Sequence, residues 1–397
     1  MELTEPSRKE LLDLCRMFLS IPSVTGEEKA LADAVKNVML QLGFDRAWID
    51  ERGSVVGVVK GALPGRKVLL DGHLDTVGPG EDRWKYPPFQ GTVVEGKIYG
   101  RGASDMKGAL AAMVYAVGQL AGHRENLKGE IYVSGTVHEE TAEGVALGYV
   151  LQEVRPDAVV IGEASELKLN IGQRGRAEIV LETYGKAAHS SHPEVGINAV
   201  CKMVTAIEAL SHLELPRDEL LGPAIMELTD IISFPYPGNS VVPGKCRATY
   251  DRRLLVGETP EEVVGVITGA LQKLEDADPA FRGRAFIALN DFATYTGFRV
   301  HGLRFAPAWK MPTEHWVVRG ALQALRKANL PPVISAYSFC TNGSSSAGVY
   351  GIPTVGFGPG RETEAHIADE YLELDQLYKS AAGYYYLAAE LAAGEGM

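Results

Sequence analysis

Glu139 and Glu140 stand side by side just past an apolar run, Gly129-Glu-Ile-Tyr-Val-Ser-Gly-Thr-Val137. The run predicts a buried strand of a mainly parallel sheet. The carboxyl edge of such a sheet is where open α/β folds place their ligands. Neighbouring side chains on an extended chain point to opposite faces, so one carboxylate can hold a metal while the other stays free as a base. By itself a Glu-Glu pair is usually solvated surface; four further motifs shift that balance. Val68-Leu-Leu-Asp-Gly-His73-Leu-Asp75 is a second apolar strand, ending in His-x-Asp. Histidine is the commonest metal ligand, and a carboxylate behind it fixes its tautomer and raises its basicity. Gly100-Arg-Gly-Ala-Ser-Asp105-Met-Lys-Gly108 is a glycine-rich loop that delivers an Asp at a helix start. It lacks the third glycine and the acidic strand end of a dinucleotide fingerprint, so no such cofactor is expected. Glu163 ends the apolar strand Val159–Ile161, and His366 follows Gly356-Phe-Gly-Pro-Gly360.

Taken singly, each of these residues has an ordinary structural explanation. Together, His73, Asp105, Glu140, Glu163 and His366 all fall at or just after strand ends. Two imidazoles and three carboxylates suit a pair of divalent ions such as zinc, with one carboxylate bridging. Such a pair holds a hydroxide and polarises a carbonyl. Glu139 is then left as the general base, taking a proton from the nucleophile and returning it to the leaving amine.

These residues need a scaffold, and the sequence predicts one. Up to about residue 175, strands at Val55–Val59, Lys67–Leu70, Ile131–Val137 and Ala158–Ile161 alternate with helices at Glu27–Leu42, Met106–Leu120 and Ala142–Val154. The fold class is therefore α/β with a mainly parallel sheet. Thr25 and Glu28 form a capping-box pattern for the first of these helices. From Arg176 the rhythm changes to strand Arg176–Thr183, helix Gly196–Leu213, strands Ile225–Phe234 and Lys245–Leu254, helix Pro260–Glu275 and strand Arg284–Asn290. That βαββαβ order is the ferredoxin-like plan. It predicts a domain at 176–291 inserted into a catalytic domain made of 1–175 and 292–397. The second part of that domain returns to α/β, with helix Glu314–Ala328, strand Thr354–Phe357 and helix Leu374–Leu391.

Composition narrows the function. At 397 residues, two domains are expected, and 46% hydrophobic and 23% charged content is that of a soluble globular chain. A net charge of −12 disfavours a nucleic-acid partner and a polybasic membrane contact. The polar start of the chain lacks a signal-peptide pattern, and four scattered cysteines without Cys-x-x-Cys fit a reducing cytoplasm.

In this order the motifs resemble the M20 family of metallopeptidases and amidohydrolases, which includes acetylornithine deacetylase and succinyl-diaminopimelate desuccinylase. The resemblance implies a dinuclear zinc centre (cobalt or manganese being alternatives) and an inserted lid through which two copies dimerise. It assigns His73 with Glu163 to one metal, Glu140 with His366 to the other, Asp105 as the bridge, Asp75 as the residue orienting His73, and Glu139 as the base. It also implies a cis peptide after Asp105. In the lid, His189 of Gly185-Lys-Ala-Ala-His189, Asn239 of Gly238-Asn-Ser-Val-Val-Pro243 and Arg253 of Tyr250-Asp-Arg-Arg253 match family substrate contacts. His189 is the residue that in relatives reaches the partner subunit's site. Arg253 suits a substrate carboxylate, with Arg252 facing the other way on a regular strand.

Ile171–Arg176, Asp251–Leu254 and Cys340–Gly343 are most similar to a branch described as selenium-metabolism-linked hydrolases. Two departures stand out. Thr341–Ser346 contains no acid where many relatives have Gly-Gly-Thr-Asp, and His138 precedes the Glu pair where Asp is frequent. The implied activity is hydrolysis of an amide in an N-acyl amino acid or short peptide bearing a free carboxylate. The alternatives are a non-catalytic binder of amino-acid-like ligands, and a hydrolase of ureido or cyclic amides.

Overall fold

The computed structural model describes residues 3–394. The chain divides into two compact units: Met1–Gln173 with Phe292–Val300 and Trp309–Met397, and Arg174–Asp291 with His301–Ala308. The first change of unit falls two residues before the Arg176 start expected for the inserted domain, and the second unit gains a short return segment at His301–Ala308.

The first unit is built on a nine-stranded sheet. Its order is Arg46–Ile49, Val55–Lys60, Lys128–Thr136, Leu63–His73, Ala158–Ile161, Thr354–Gly356, Leu169–Gln173 and Trp309–Lys310, with Ile334–Tyr337 also pairing Leu169–Gln173. Leu63–His73 runs parallel to both of its neighbours, as does Thr354–Gly356 to Ala158–Ile161; Arg46–Ile49, Val55–Lys60 and Trp309–Lys310 pair antiparallel. Both faces of the central strands are covered, which is why they read as unbroken apolar runs rather than alternating ones. Val68 and Leu70 join the larger core cluster and Leu69 joins the smaller one, all of them fully buried. Each such side chain contributes about 2 kcal/mol by burial. On the larger-cluster side lies Lys107–Ala121, in which every residue except Gln119 is buried. A helix apolar on all sides is stable only in such a position.

One expectation fails instructively. The helix after Thr25 begins at Lys29, and Glu28 makes no side-chain cap bond. The Glu28 carboxylate instead accepts from the backbone of Gly26 at 2.9 Å and of His138 at 3.3 Å, while the Thr25 hydroxyl donates to Asp75 at 2.9 Å. The polar groups of the supposed capping box are used to hold the loop ahead of Glu139.

The second unit has a sheet ordered Ile225–Phe234, Lys245–Leu254, Gly175–Tyr184, Gly283–Ile287, with every neighbour antiparallel. Helices Ala199–Ser211 and Pro260–Ala277 contribute buried residues to one core cluster with Ile179, Leu181 and Tyr250. The sheet order is that of the ferredoxin-like plan. Pro260–Ala277 starts as its sequence predicts, with both bonds of the Thr259–Glu262 capping box formed.

Candidate metal centre

At the carboxyl edge of the first unit's sheet, the strand ending at His73 and the loop after Lys128–Thr136 bring several donors together. His73 Nε2 lies 2.9 Å from Asp105 Oδ1 and 3.4 Å from Glu163 Oε1. His366 Nε2 lies 3.2 Å from the other oxygen of Asp105 and 2.9 Å from Glu140 Oε2. Asp105 thus presents one oxygen to each imidazole, and Glu163 and Glu140 flank the pair from either side. The donor atoms of His73, Asp105 and Glu140 lie within 4.8 Å of one another, as do those of His73, Glu139 and Glu163. The peptide after Asp105 is cis.

The tautomer of His73 follows from its other nitrogen. Nδ1 is 2.8 Å from the backbone carbonyl of Asp75 and 3.7 Å from its carboxylate. A carbonyl only accepts, so Nδ1 carries a proton, and Nε2 is the nitrogen left facing the centre for a metal to take. Orientation of His73 therefore comes from the main chain of Asp75, where the sequence suggested its carboxylate. That carboxylate accepts instead from the backbone of Glu139 at 3.0 Å and of Glu140 at 3.1 Å. Asp75 thereby places both members of the Glu pair.

Glu139 is buried, and its Oε1 has no hydrogen-bond partner. Burial pushes its carboxyl well above the ordinary range, with Glu163, Glu143 and Glu140 adding to the effect and His73 opposing it. Burial and Asp105 likewise raise Glu163, to about 7. The Asp105 and Glu140 carboxylates raise His366 to about 10. Burial alone would lower His73, but Asp105 and Glu163 hold it well above its usual value. The protein therefore gathers several carboxylates and offsets their charge with protons on two imidazoles. Divalent cations would supply the same compensation and displace those protons. The nitrogen and oxygen donors suit zinc, cobalt or manganese, and the unpartnered Glu163 Oε2 leaves lone pairs open. The residues fit a pair of divalent ions.

Two positioning groups were not found in the sequence. Glu370 is fully buried; it accepts from Arg101 Nη1 at 2.7 Å and from the backbone of Gly102, Ser104 and Asp105 at 3.1, 2.8 and 3.0 Å. It organises the glycine-rich loop that carries Asp105. Only the presence of Arg101 inside that loop hinted at a buried acid partner. Glu28, described above, is the other.

The expected substrate contacts all lie in the second unit. His189 is exposed, and its Nδ1 accepts from the backbone N–H of Ser191 at 3.1 Å and lies 2.7 Å from the Ser191 hydroxyl. The outward Nε2 therefore carries the proton and is a donor. Asn239 is exposed, with φ 41°, beside Ser240, whose carbonyl accepts from Ser190 at 2.8 Å. Arg253 is half-buried beside Asp251 at 2.8 Å, whereas Arg252 is turned inward to Glu258 and the carbonyl of Ile225. The two arginines face opposite ways, as strand alternation requires.

Comparison with known proteins fits this geometry. The sequence model described as "Peptidase family M20/M25/M40" matches residues 69–390. Protein YgeY of Escherichia coli is 33% identical over 392 residues, covering 97% of this chain and 95% of that one. An acetylornithine deacetylase of Proteus mirabilis is 27% identical over 388 residues, covering 91% and 92%. Among solved structures, an M20 family metallo-carboxypeptidase of Sulfolobus solfataricus superposes with TM-score 0.77 at 19% identity, covering 96% of this chain and 99% of its own. The Bacillus subtilis YXEP protein, described as a dinuclear metal binding peptidase, superposes with TM-score 0.72 at 12% identity, covering 97% and 98%.

Proposed function

Because the chain belongs to peptidase family M20/M25/M40, whose members are metal-dependent hydrolases, we propose that it cleaves the amide bond of an N-acyl amino acid or short peptide with a free carboxylate. The observation that carries this reading is the buried, unpartnered Glu139 oxygen beside a cluster of two imidazoles and three carboxylates. A ligand-binding protein gains nothing from an unpaired carboxylate there, whereas a hydrolase needs one to move a proton.

His73 and Glu163 would hold one ion, His366 and Glu140 the other, and Asp105 would bridge them. We take the ions to be zinc; when bound, they polarise the substrate carbonyl and acidify water. Glu139 accepts a proton from the attacking water and passes it to the leaving nitrogen, which departs as the amine. Asp75 holds the backbone of both glutamates during the reaction.

Substrate selection is assigned to the second unit. The Arg253 guanidinium matches a carboxylate in two-point geometry, Asn239 adds an amide, and the outward N–H of His189 suits developing negative charge on the carbonyl oxygen. His189 follows the strand end at Tyr184, which pairs with Lys245, whereas Arg253 is eight residues along from Lys245. At about 3.4 Å per residue the strand end at Lys245 lies roughly 27 Å from Arg253, and His189 pairs with Val241, four residues before Lys245 on the side away from Arg253; we take this as too far for one small substrate to meet both in a single chain. A second copy of the chain supplies the missing His189 in this reading. Ile225–Phe234, an edge strand with Ile231 and Phe234 exposed, is the surface we assign to that homodimer.

The test is turnover on a panel of acetyl, succinyl and other acyl amino acids, dipeptides and ureido acids, with added Zn²⁺, Co²⁺ or Mn²⁺. Hydrolysis of a carboxylate-bearing amide that is abolished by chelator supports the proposal. Saturable binding without turnover of any substrate would replace it with the ligand-binding reading.

A further inference from the structure

The loop carrying Glu139 and Glu140 runs from Val137 to Gly144, where helix Val145–Val154 begins. Glu28 and Asp75 hold its first half. Its far end is held by a residue distant in the sequence: Asn342 Oδ1 accepts from the backbone of Gly144 at 2.7 Å. The amide nitrogen of the same side chain donates to Asp71 Oδ2 at 2.9 Å and to Thr136 Oγ1 at 2.8 Å. The other oxygen of Asp71 accepts from the Ser134 hydroxyl at 2.5 Å. Asn342, Asp71, Thr136 and Ser134 are all at most 3% exposed, so water cannot replace these bonds.

The connectivity is specific. Asp71 lies on the strand that ends in His73, and Ser134 and Thr136 lie on the strand that leads to Glu139, in register Asp71 with Ser134 and His73 with Thr136. Asn342 therefore ties together the strand of a metal-centre histidine, the strand before the base, and the end of the base's own loop. Its amide is fixed in one sense, because Gly144 requires an acceptor and Asp71 requires a donor.

We propose that Asn342, acting with Asp71, is a positioning residue for the hydrolytic reaction: it sets the placement of Glu139 relative to His73 without touching substrate or metal. This rests on the hydrolase reading above.

A swap of the two side chains tests it. N342D sets two carboxylates against each other where the 2.9 Å bond now stands. D71N alone keeps the bond from Asn342, since an amide oxygen at position 71 still accepts it, but its nitrogen then faces Ser134, whose hydroxyl proton loses its acceptor. In D71N/N342D the amide at position 71 donates to the carboxylate at position 342, which still accepts from Gly144, and the Thr136 hydroxyl turns to donate to it, giving up its 3.2 Å bond to the Gly72 carbonyl.

Steady-state kinetics on the best wild-type substrate, melting temperature and metal content are measured for each variant. The expected result for N342D is a kcat lower by about 100-fold, the scale of a misplacement near 1 Å. KM should stay within a factor of about three and the metal content should be unchanged. The double variant should recover most of the lost kcat. Should N342D not fold, N342S takes its place, with a fall in kcat expected and no loss of metal. Wild-type kcat in N342D or N342S, or a double variant that melts and binds metal normally yet stays as slow as N342D, would overturn the positioning role. Absence of any turnover by the wild type overturns the hydrolase reading itself, and with it this role.

Discussion

Removing the Glu370 carboxylate should damage this protein more than removing the Arg101 guanidinium bound to it. The asymmetry follows from what each leaves behind. In R101M, Glu370 keeps three backbone donors, from Gly102, Ser104 and Asp105. In E370A, a 2%-exposed guanidinium loses its carboxylate, its Nε already has no partner, and three buried N–H groups lose their acceptor. Breaking a buried ion pair costs about 3–5 kcal/mol where the partner left behind is an uncompensated buried charge, as Arg101 is in E370A but Glu370, with its three backbone donors, is not in R101M. Each unsatisfied N–H adds about 1–3 kcal/mol before relaxation and water entry. These terms overlap, so a total near 5 kcal/mol is expected for E370A and about 2 kcal/mol for R101M. The first value is a third or more of a typical domain's stability. The assay is urea unfolding of metal-free protein at pH 8, since burial, with Asp105 adding, pushes the Glu370 carboxyl up to about 7 and this pH keeps it ionised. The double variant should cost little more than E370A alone, giving a coupling of about 2 kcal/mol. Because Glu370 also fixes the backbone of Asp105, E370A should weaken metal binding by about 10–100-fold. R101M as destabilising as E370A, or additive costs in the double variant, would refute this account of the loop.

Three further outcomes are expected. Glu182 is buried on the helix-free side of the second unit's sheet, and burial, which would raise its pKa, is outweighed by bonds from Lys245, Tyr184, Arg247 and Arg284, leaving it depressed. A depressed carboxyl contributes stability that is present above its unfolded pKa, about 4.3, and lost as pH falls through the folded value. Wild type should therefore lose stability steeply below about pH 4 where E182Q changes less, and parallel acid-unfolding curves would contradict this. Of the four cysteines only Cys201 is exposed, and burial pushes Cys15 up to about 12; a thiol reagent should label one site in the native protein and four in denaturant, as counted by mass spectrometry. Asp75→Asn should cut kcat by about 100-fold or more while sparing metal, because its amide opposes one of the two backbone donors at Glu139 and Glu140; unchanged kcat would show that the Glu pair needs no such support.

Much of this architecture was legible in the sequence, for physical reasons. Long apolar or alternating runs end where expected: Ile225–Phe234 and Lys245–Leu254 are strands over those residues. Strands Leu169–Gln173 and Ile334–Tyr337 were missed. Their buried or half-buried polar residues, Asn170, Gln173 and Ser335, break the hydrophobic pattern, and their partners lie far along the chain. The residues proposed as ligands were legible because they cluster at strand ends beside glycine. Their supports were not. Glu370 sits in an acidic stretch that reads as solvated surface, Glu28 imitates a cap, and Asn342 lies in a polar Ser-rich segment. Each gains its meaning only from a partner brought close by folding.

In the proposed reaction Glu139 moves the proton while the surrounding imidazoles and carboxylates hold the metal. Glu139→Gln keeps the shape and burial of the side chain and removes its capacity as a base. Measured together, metal content by elemental analysis and kcat on the best wild-type substrate should show two ions per chain in both proteins and a kcat at least about 100-fold lower in the variant. Wild-type turnover in Glu139→Gln, or loss of its ions, would contradict the account.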